Sequence, residues 1–188
     1  MESAPVVLEP IELGVCRLRQ WQKSDKPSLV RYANNPNVAR HLREIFPSPY
    51  TEEDADTWLG NAPFGRGAPW RYAIEVGGEA AGGIGLDPYR DIERHTLEVG
   101  YWLGEPFWGR GILTAAVRVL SQQALASPDI YRVCAKVSSG NPASMRVLEK
   151  AGFAREGVLA RASVKNGVVY DEVVYGLTKD PGLPYVSF

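Results

Sequence analysis

Apolar residues alternate with polar ones, or run together between turn residues, in seven stretches of the chain. A period of two is typical of strands that bury one face, and short apolar runs are typical of strands inside a sheet. The stretches that predict strands are 15–21, 70–76, 79–86, 95–103, 131–137, 158–165 and 168–177. Gly77-Gly78 and Asn166-Gly167 lie between consecutive strands and predict two tight hairpins.

A period near 3.6 residues predicts helices elsewhere. Apolar residues at this spacing from Leu113 to Ala124 predict a helix that packs one face on a sheet. Asn141 and Pro142 are typical of a helix start and Gly152 of a stop, which predicts a short helix over 143–151. Further helices are predicted after the capping residues Ser24 and Asp25, over 38–42, and from Thr51, paired with Asp54 in a capping box, through Trp58.

The order of these elements indicates an α+β fold. A helical N-terminal portion precedes three antiparallel strands, then strand, helix, strand and helix follow, and a hairpin ends the chain. We expect a mixed, mostly antiparallel central sheet with helices on both faces. At 188 residues, 45% of them hydrophobic, the chain is long enough for one well-cored domain, so residues 1–188 are expected to form a single domain.

Composition narrows the possible partners and the compartment. A formal net charge of −1 disfavours nucleic acid as the main partner. No apolar run approaches the ~20 residues that span a bilayer, so no membrane association is expected. Cys16 and Cys134 each lie in an apolar run, which favours reduced thiols and a cytoplasmic location.

Residues 108–114, called the glycine loop below, connect a predicted strand to a predicted helix. Glycines on both sides of Arg110 can leave backbone N–H groups pointing outward, and the helix adds its own free N–H groups and the positive end of its dipole. The loop therefore predicts a phosphate site. It has no Gly-Lys-Ser/Thr of a Walker loop, and Thr114 stands where a dinucleotide fingerprint needs a third glycine.

Seven segments in order resemble the GNAT superfamily of acetyl-CoA-dependent N-acetyltransferases, in particular the ribosomal-protein N-terminal acetyltransferases. They are 18–21 (LRQW), 70–75 (WRYAIE), 82–86 (GGIGL), 98–103 (EVGYWL), the glycine loop, 141–153 (NPASMRVLEKAGF) and 170–177 (YDEVVYGL). The resemblance covers nearly the whole chain. In the family pattern at the loop, Trp108 takes the first position, Gly111 the fourth, and Leu113 a last position that is usually a small residue.

The resemblance implies a donor site for acetyl-CoA, or another short acyl-CoA, and no metal. The strand that ends near Leu103 is expected to separate at a bulge from the strand over 131–137, so that the pantetheine arm lies in the gap. Main-chain groups of Tyr101, Trp102 and Leu103 would bind the arm, and Asn141 would both cap its helix and reach it. The diphosphate would be held by Trp108, Gly109, Arg110, Gly111, Ile112, Leu113 and Thr114.

The implied chemistry is direct attack of a primary amine on the acyl group in a ternary complex. Glu98, in an otherwise apolar strand, is the candidate base, with Glu75 as the weaker alternative. Many family members use a tyrosine soon after the Asn141 position. Here Ser144 is the candidate to hydrogen-bond the leaving thiolate. His41 and His95 lack partners at catalytic or metal-ligand spacing and are expected to be structural.

The identity of the amine acceptor stays open at this level. It is either a protein N-terminus or a small molecule, because the sequence of the predicted donor site does not constrain it. The alternative to an enzyme is an inactive acyl-CoA-binding or regulatory module that keeps the loop but has lost the proton-handling groups. A homodimer is compatible with the resemblance.

Overall fold

The structure, a computed structural model, describes residues 9–61 and 70–186. Within them are five α-helices: α1 (Lys26–Ala33), α2 (Pro36–Ala39), α3 (Glu52–Asn61), α4 (Ile112–Ala126) and α5 (Pro142–Ala151). The same residues form eight strands: β1 (Ile11–Glu12), β2 (Arg17–Arg19), β3 (Trp70–Val76), β4 (Glu79–Pro88), β5 (Thr96–Leu103), β6 (Arg132–Ser138), β7 (Ala154–Lys165) and β8 (Val168–Thr178).

The strands form one sheet in the order β1-β2-β3-β4-β5-β6-β8-β7. Only β5 and β6 pair in parallel, and every other neighbouring pair is antiparallel. The mixed, mostly antiparallel α+β fold predicted from the order of elements is confirmed, and so are both hairpins. No helix within residues 9–61 and 70–186 is long and apolar enough to cross a lipid bilayer.

Helices cover both faces of the sheet. Successive residues of the central strands point to opposite faces, and apolar residues occur on both faces, so each face packs against helices. On β3, Ile74 belongs to a core with Val117 of α4 and Leu148 of α5. Its neighbour Ala73 belongs to a second core with Leu29 of α1 and residues of α3. The α4/α5 face and the α1/α3 face are the two sides of the molecule between which the site is built.

The first predicted strand, 15–21, is shorter in the structure. Leu13 N donates to Cys16 O at 2.9 Å, which closes a turn through Gly14 and Val15 between β1 and β2. This turn removes the first residues of the predicted strand, and the short β1 precedes it. The chain then pairs with β3 only over Arg17–Arg19.

The N-terminal helices also differ from the prediction. The Asp25 side chain does not cap α1, because Arg19 binds both of its oxygens, at 2.7 and 2.8 Å. The second helix begins at Pro36 rather than at residue 38, since the Asn35 side chain accepts from Asn37 N at 2.8 Å and starts the helix. By contrast, the capping box of α3 is confirmed by reciprocal bonds between Thr51 and Asp54.

Candidate active site

A gap opens between β5 and β6 near the centre of the sheet. These strands pair only from Thr96 with Arg132 to Glu98 with Cys134. Beyond that point β5 continues beside β4 to Leu103, while β6 continues beside β8. The predicted separation of the strands is therefore present. The expected bulge does not appear in the β4–β5 pairing, whose register runs without a shift.

Hydrogen bonds at the ends of β5 show which backbone groups face the gap. Gly104 N donates to Ala81 O at 2.8 Å, in register with β4, and Tyr131 N donates to His95 O at 3.0 Å, on the β6 side. Backbone groups in a strand point alternately to its two neighbours. Even-numbered residues of β5 therefore bond to β4, and odd-numbered residues face β6 and the gap.

This alternation corrects one predicted contact. The backbone of Tyr101 and Leu103 faces the gap, but that of Trp102 faces β4 and is unavailable to an arm lying beside β5. Any contact from Trp102 would come from its side chain, which packs edge-on against Phe46 at 5.6 Å. The Leu103 carbonyl already accepts from Trp108 Nε1 at 2.7 Å, so Leu103 offers its N–H to the gap.

The glycine loop follows β5 after a 3-10 turn over Glu105–Phe107. Gly109 and Gly111 have φ angles of 74° and 76°, a left-handed conformation that strongly favours glycine. Helix α4 begins at Ile112, one residue before Leu113, the first apolar position of the predicted helix, and its first bond runs from Ala115 N to Gly111 O. In the described part of the chain, none of the six N–H groups of residues 109–114 donates to a backbone carbonyl.

Three side chains of the loop contact other partners rather than these N–H groups. Arg110 folds back, donating to Pro106 O at 2.8 Å with its guanidinium 5.5 Å from the Phe107 ring centre. Leu113, bulkier than the usual residue there, packs against the core on the α4/α5 face. Trp108 is held by its bond to Leu103. The loop therefore presents backbone donors at the positive end of a four-turn helix.

Asn141 begins α5 as predicted. Its Oδ1 accepts from Ser144 N at 3.1 Å, and its own N donates to Ser138 O at 2.9 Å. Because Oδ1 is the capping acceptor, the Nδ2 group remains available to donate to a ligand. The helix ends at Gly152, in the left-handed conformation of a C-cap.

The Ser144 hydroxyl meets a tyrosine from the opposite side of the gap. Tyr101 OH lies 2.8 Å from Ser144 Oγ and 3.4 Å from Ser144 O. Burial raises the pKa of Tyr101 to about 12, a rise that the Ser144 hydrogen bond partly offsets. Tyr101 also packs against the core beneath α4 and α5, so this pair lies on the α4/α5 face.

Glu98 lies on the other face. Its neighbours Leu97 and Val99 belong to the α4/α5 core, so its side chain points to the α1/α3 face. The carboxylate is 17% exposed and accepts from Arg43, at 2.5 Å, and from Tyr89 OH, at 3.0 Å. Burial also raises the pKa of Tyr89, so its hydroxyl remains a donor to Glu98 at neutral pH.

The sequence of residues 16–154 matches the family model described as an acetyltransferase (GNAT) domain, which is most of the chain. The chain belongs to the GNAT acetyltransferase family. The resemblance inferred from seven segments is therefore confirmed, and the protein is an acetyl-CoA-dependent acetyltransferase.

Relatives of this acetyltransferase include proteins named for ribosomal substrates. It is 32% identical over 152 residues to YdaF of Bacillus subtilis, a candidate ribosomal N-acetyltransferase, covering 79% of this chain and 75% of that protein. It is 36% identical over 92 residues to the ribosomal-protein-serine acetyltransferase of Escherichia coli, covering 48% and 51%. A solved structure of RimL, described as a ribosomal L7/L12 α-N-protein acetyltransferase in complex with coenzyme A, has a TM-score of 0.80 and 25% identity, covering 92% and 99%.

The residues around the gap fit coenzyme A chemically. Its diphosphate needs several convergent donors, which the free N–H groups of residues 109–114 can supply. Its amide-bearing arm needs a strand edge with open donors and acceptors, which the gap-facing backbone of Tyr101 and Leu103 can supply. This fit uses backbone groups almost entirely.

The structure gives Glu75 and His95 partners away from the gap. Glu75 is bound to Arg19 at the β2 side of β3 and cannot serve as the alternative base beside β5. His95 Nδ1 contacts Asp129 O at 2.6 Å, and its ring stacks on Tyr131, which is a structural role. Burial, aided by Arg40, lowers the pKa of His41.

Two functional contacts were not foreseen from the sequence. Arg43 and Glu98 are 55 residues apart, and the Tyr101 and Ser144 hydroxyls belong to residues 43 apart. No local pattern links either pair. The resemblance implies a main-chain role for Tyr101 and none for its hydroxyl. The hydroxyl contact depends on the packing of α5 beneath the end of β5.

Proposed function

We propose that this acetyltransferase transfers the acetyl group of acetyl-CoA to a primary amine by direct attack in a ternary complex. The proposal rests on one observation. Glu98 lies on the α1/α3 face and Ser144 on the α4/α5 face, with the gap beside the free edge of β5 between them. A base on one side and a donor for the leaving group on the other suit a single displacement without a covalent enzyme intermediate.

The donor side comprises the glycine loop, the gap-facing edge of β5, Tyr101, Asn141 and Ser144. Bound acetyl-CoA supplies an acetyl carbonyl activated as a thioester. The N–H groups of residues 109–114 hold the diphosphate, and Asn141 donates to the arm through Nδ2. A gap-facing N–H of β5 polarises the thioester carbonyl as the carbonyl oxygen gains negative charge.

Glu98 acts on the amine. An amine of pKa ~8 to ~10 is mostly protonated at neutral pH, so a carboxylate must take up a proton before or during attack. The nitrogen–carbon bond forms, the carbon–sulfur bond breaks, and sulfur leaves with the bonding electron pair. Ser144 donates a hydrogen bond to that sulfur. The thiolate then takes one proton from solvent. The ammonium loses two protons in becoming the amide, one before attack and one as the carbon–sulfur bond breaks, and Glu98 passes each of them to solvent in turn.

The acceptor enters from the α1/α3 face, on the acceptor side, which comprises Glu98 and the loop of residues 40–50. Arg43 of this loop occupies the Glu98 carboxylate with a side chain that is 76% exposed. A cationic amine therefore replaces one exposed guanidinium at a carboxylate that is already arranged for a cation. The relatives' names favour a protein N-terminus as the acceptor, and a free α-amine provides this cation.

Release of free CoA from acetyl-CoA tests the proposal, with mass spectrometry of the acceptor to locate the acetyl group. The acceptors are a short peptide with an N-terminal serine, the same peptide already acetylated, and a polyamine. We expect acetylation of the free α-amine only. Glu98→Gln should lower kcat by about a hundredfold. Asp87→Asn, which removes the carboxylate paired directly across from Glu98 on β4, should leave kcat within about twofold.

Two results would contradict the proposal. Tight binding of acetyl-CoA without turnover of any amine, unchanged in Glu98→Gln, would make the protein a binding module. Turnover of the polyamine alone would keep the enzyme class but overturn the protein N-terminus as acceptor.

A further inference from the structure

We propose that Tyr101 is a positioning residue, whose hydroxyl donates to Ser144 Oγ so that the serine proton is directed at the leaving sulfur. This inference rests on the proposed function and extends it to a residue that does not itself touch the reacting atoms. It starts from the 2.8 Å contact between Tyr101 OH and Ser144 Oγ across the gap.

The direction of this hydrogen bond decides what Ser144 can do. A serine hydroxyl has one proton and two lone pairs. If Ser144 donated to Tyr101, its only proton would be used and none would remain for the thiolate. If Tyr101 donates, a lone pair of Oγ is used and the serine proton stays free to point into the gap.

The surroundings of Tyr101 favour its role as the donor. Its hydroxyl has two acceptors on one residue, Oγ at 2.8 Å and the carbonyl oxygen of Ser144 at 3.4 Å. The contact with Oγ is the shorter of the two, so Oγ is the better acceptor for the tyrosine proton. Burial raises the pKa of Tyr101 to about 12, so the proton is present throughout the neutral range.

The backbone of Ser144 is fixed as well. Its N–H is bound by Asn141 Oδ1 at 3.1 Å, which holds the first turn of α5. With the backbone held by Asn141 and one lone pair of Oγ occupied by Tyr101, the serine proton is kept out of the Tyr101 direction and restricted to the two other staggered positions. Removing the tyrosine hydroxyl would leave Ser144 in place but free to rotate.

Tyr175 of β8 offers a matched control, because its hydroxyl also contacts helix α5. It is 1% exposed, and its hydroxyl donates to Glu149 Oε1 at 3.0 Å, so it also ties α5 to the sheet. Burial raises its pKa too. Tyr175→Phe therefore removes the same atom from a similar environment, one that does not include Ser144.

The experiment is a double-mutant cycle of Tyr101→Phe and Ser144→Ala, with kcat and KM measured for acetyl-CoA and the peptide. We expect Tyr101→Phe to lower kcat by about tenfold and to leave KM for acetyl-CoA within about twofold. In the Ser144→Ala background the same change should have no further effect. Tyr175→Phe should retain the kcat of the parent protein. Thermal unfolding and CoA binding of each variant check that the fold and donor site are retained.

Three results would overturn the inference. Full kcat in Tyr101→Phe while Ser144→Ala is impaired would show that Ser144 needs no partner. An undiminished loss from Tyr101→Phe in the Ser144→Ala background would show that the tyrosine acts by another route. An equal loss in Tyr175→Phe would show that only the packing of α5 matters. Absence of turnover in the parent protein would overturn the proposed function, and the inference with it.

Discussion

The donor side and the acceptor side of the gap are built in different ways. The donor side is formed mostly by short continuous segments: residues 109–114 supply N–H groups, and Asn141 and Ser144 occupy one turn of α5, although the Tyr101–Ser144 contact joins residues 43 apart. The acceptor side is formed by contacts between distant segments, with Arg43 reaching Glu98 and Phe46 packing on Trp102. We therefore expect acetyl-CoA binding to depend on local geometry and the choice of acceptor to depend on the loop of residues 40–50.

The variant with the largest expected effect changes the backbone conformation of the glycine loop, on the donor side. Gly111→Ala places a side chain at φ 76°, where the residue is strained, and the loop relaxes by turning N–H groups away. Losing one or two hydrogen bonds to a charged ligand should weaken acetyl-CoA binding about ten- to a hundredfold by calorimetry.

Gly167→Ala is the control for this change. Gly167 has the same φ of 76° in the β7–β8 turn and equally open space around it. It should lower thermal stability without changing acetyl-CoA affinity. Equal affinity losses in the two variants would show that strain alone, rather than loop geometry, explains the effect.

A prediction of intermediate size compares how well each side of the gap excludes water from a buried tyrosine. Burial raises the pKa of Tyr101, on the donor side, and of Tyr50, on the acceptor side, each from 10.0 to about 12. A buried tyrosine whose pKa is raised stabilises the fold below pH 10, and this stabilisation is lost as pH rises toward 12 because the unfolded chain ionises first.

We therefore expect Tyr50→Phe and Tyr101→Phe each to reduce the alkaline loss of unfolding free energy by about 1 kcal/mol near pH 11. Denaturant unfolding from neutral to alkaline pH measures this loss. A smaller reduction in Tyr50→Phe would show that the acceptor side is wetter than its packing against Phe46, at 5.2 Å between ring centres, indicates.

The smallest effect concerns Arg43. Arg43→Gln frees the Glu98 carboxylate, so a cationic acceptor no longer displaces a guanidinium. Since the arginine is largely exposed and the ion pair contributes little, the acceptor KM should fall only two- to threefold, with acetyl-CoA binding unchanged. Arg31→Gln, which breaks an exposed ion pair with Glu79 away from Glu98, should change neither constant. A large loss of kcat in Arg43→Gln would instead place Arg43 in the chemistry.

The same difference explains what could be predicted from sequence. The N-cap of Asn141, the glycine loop, the hairpins and the fold depend on local periodicity or on residues with special backbone preferences, and the structure contains each of them. Trp102 was misassigned because hydrogen-bond direction depends on register with β4, which one strand does not encode. The predicted Asp25 cap is absent because the buried Arg19 guanidinium binds both oxygens of the same carboxylate.

The pairs Arg43–Glu98 and Tyr101–Ser144 mark where sequence prediction ends. Each joins residues that are far apart in the chain, so neither produces a local periodic pattern. Both pairs lie beside the gap, so the proposed chemistry would depend on contacts that no local sequence pattern encodes.

The most direct test of the account is a nuclear magnetic resonance titration of the backbone amides with acetyl-CoA. The account predicts the largest shifts at residues 109–114, with further shifts at Tyr101, Leu103 and Asn141, and small ones in the loop of residues 40–50. If acetyl-CoA binding saturates while the amides of residues 109–114 stay unshifted, the central claim is contradicted. That claim is that backbone N–H groups of the glycine loop hold acetyl-CoA.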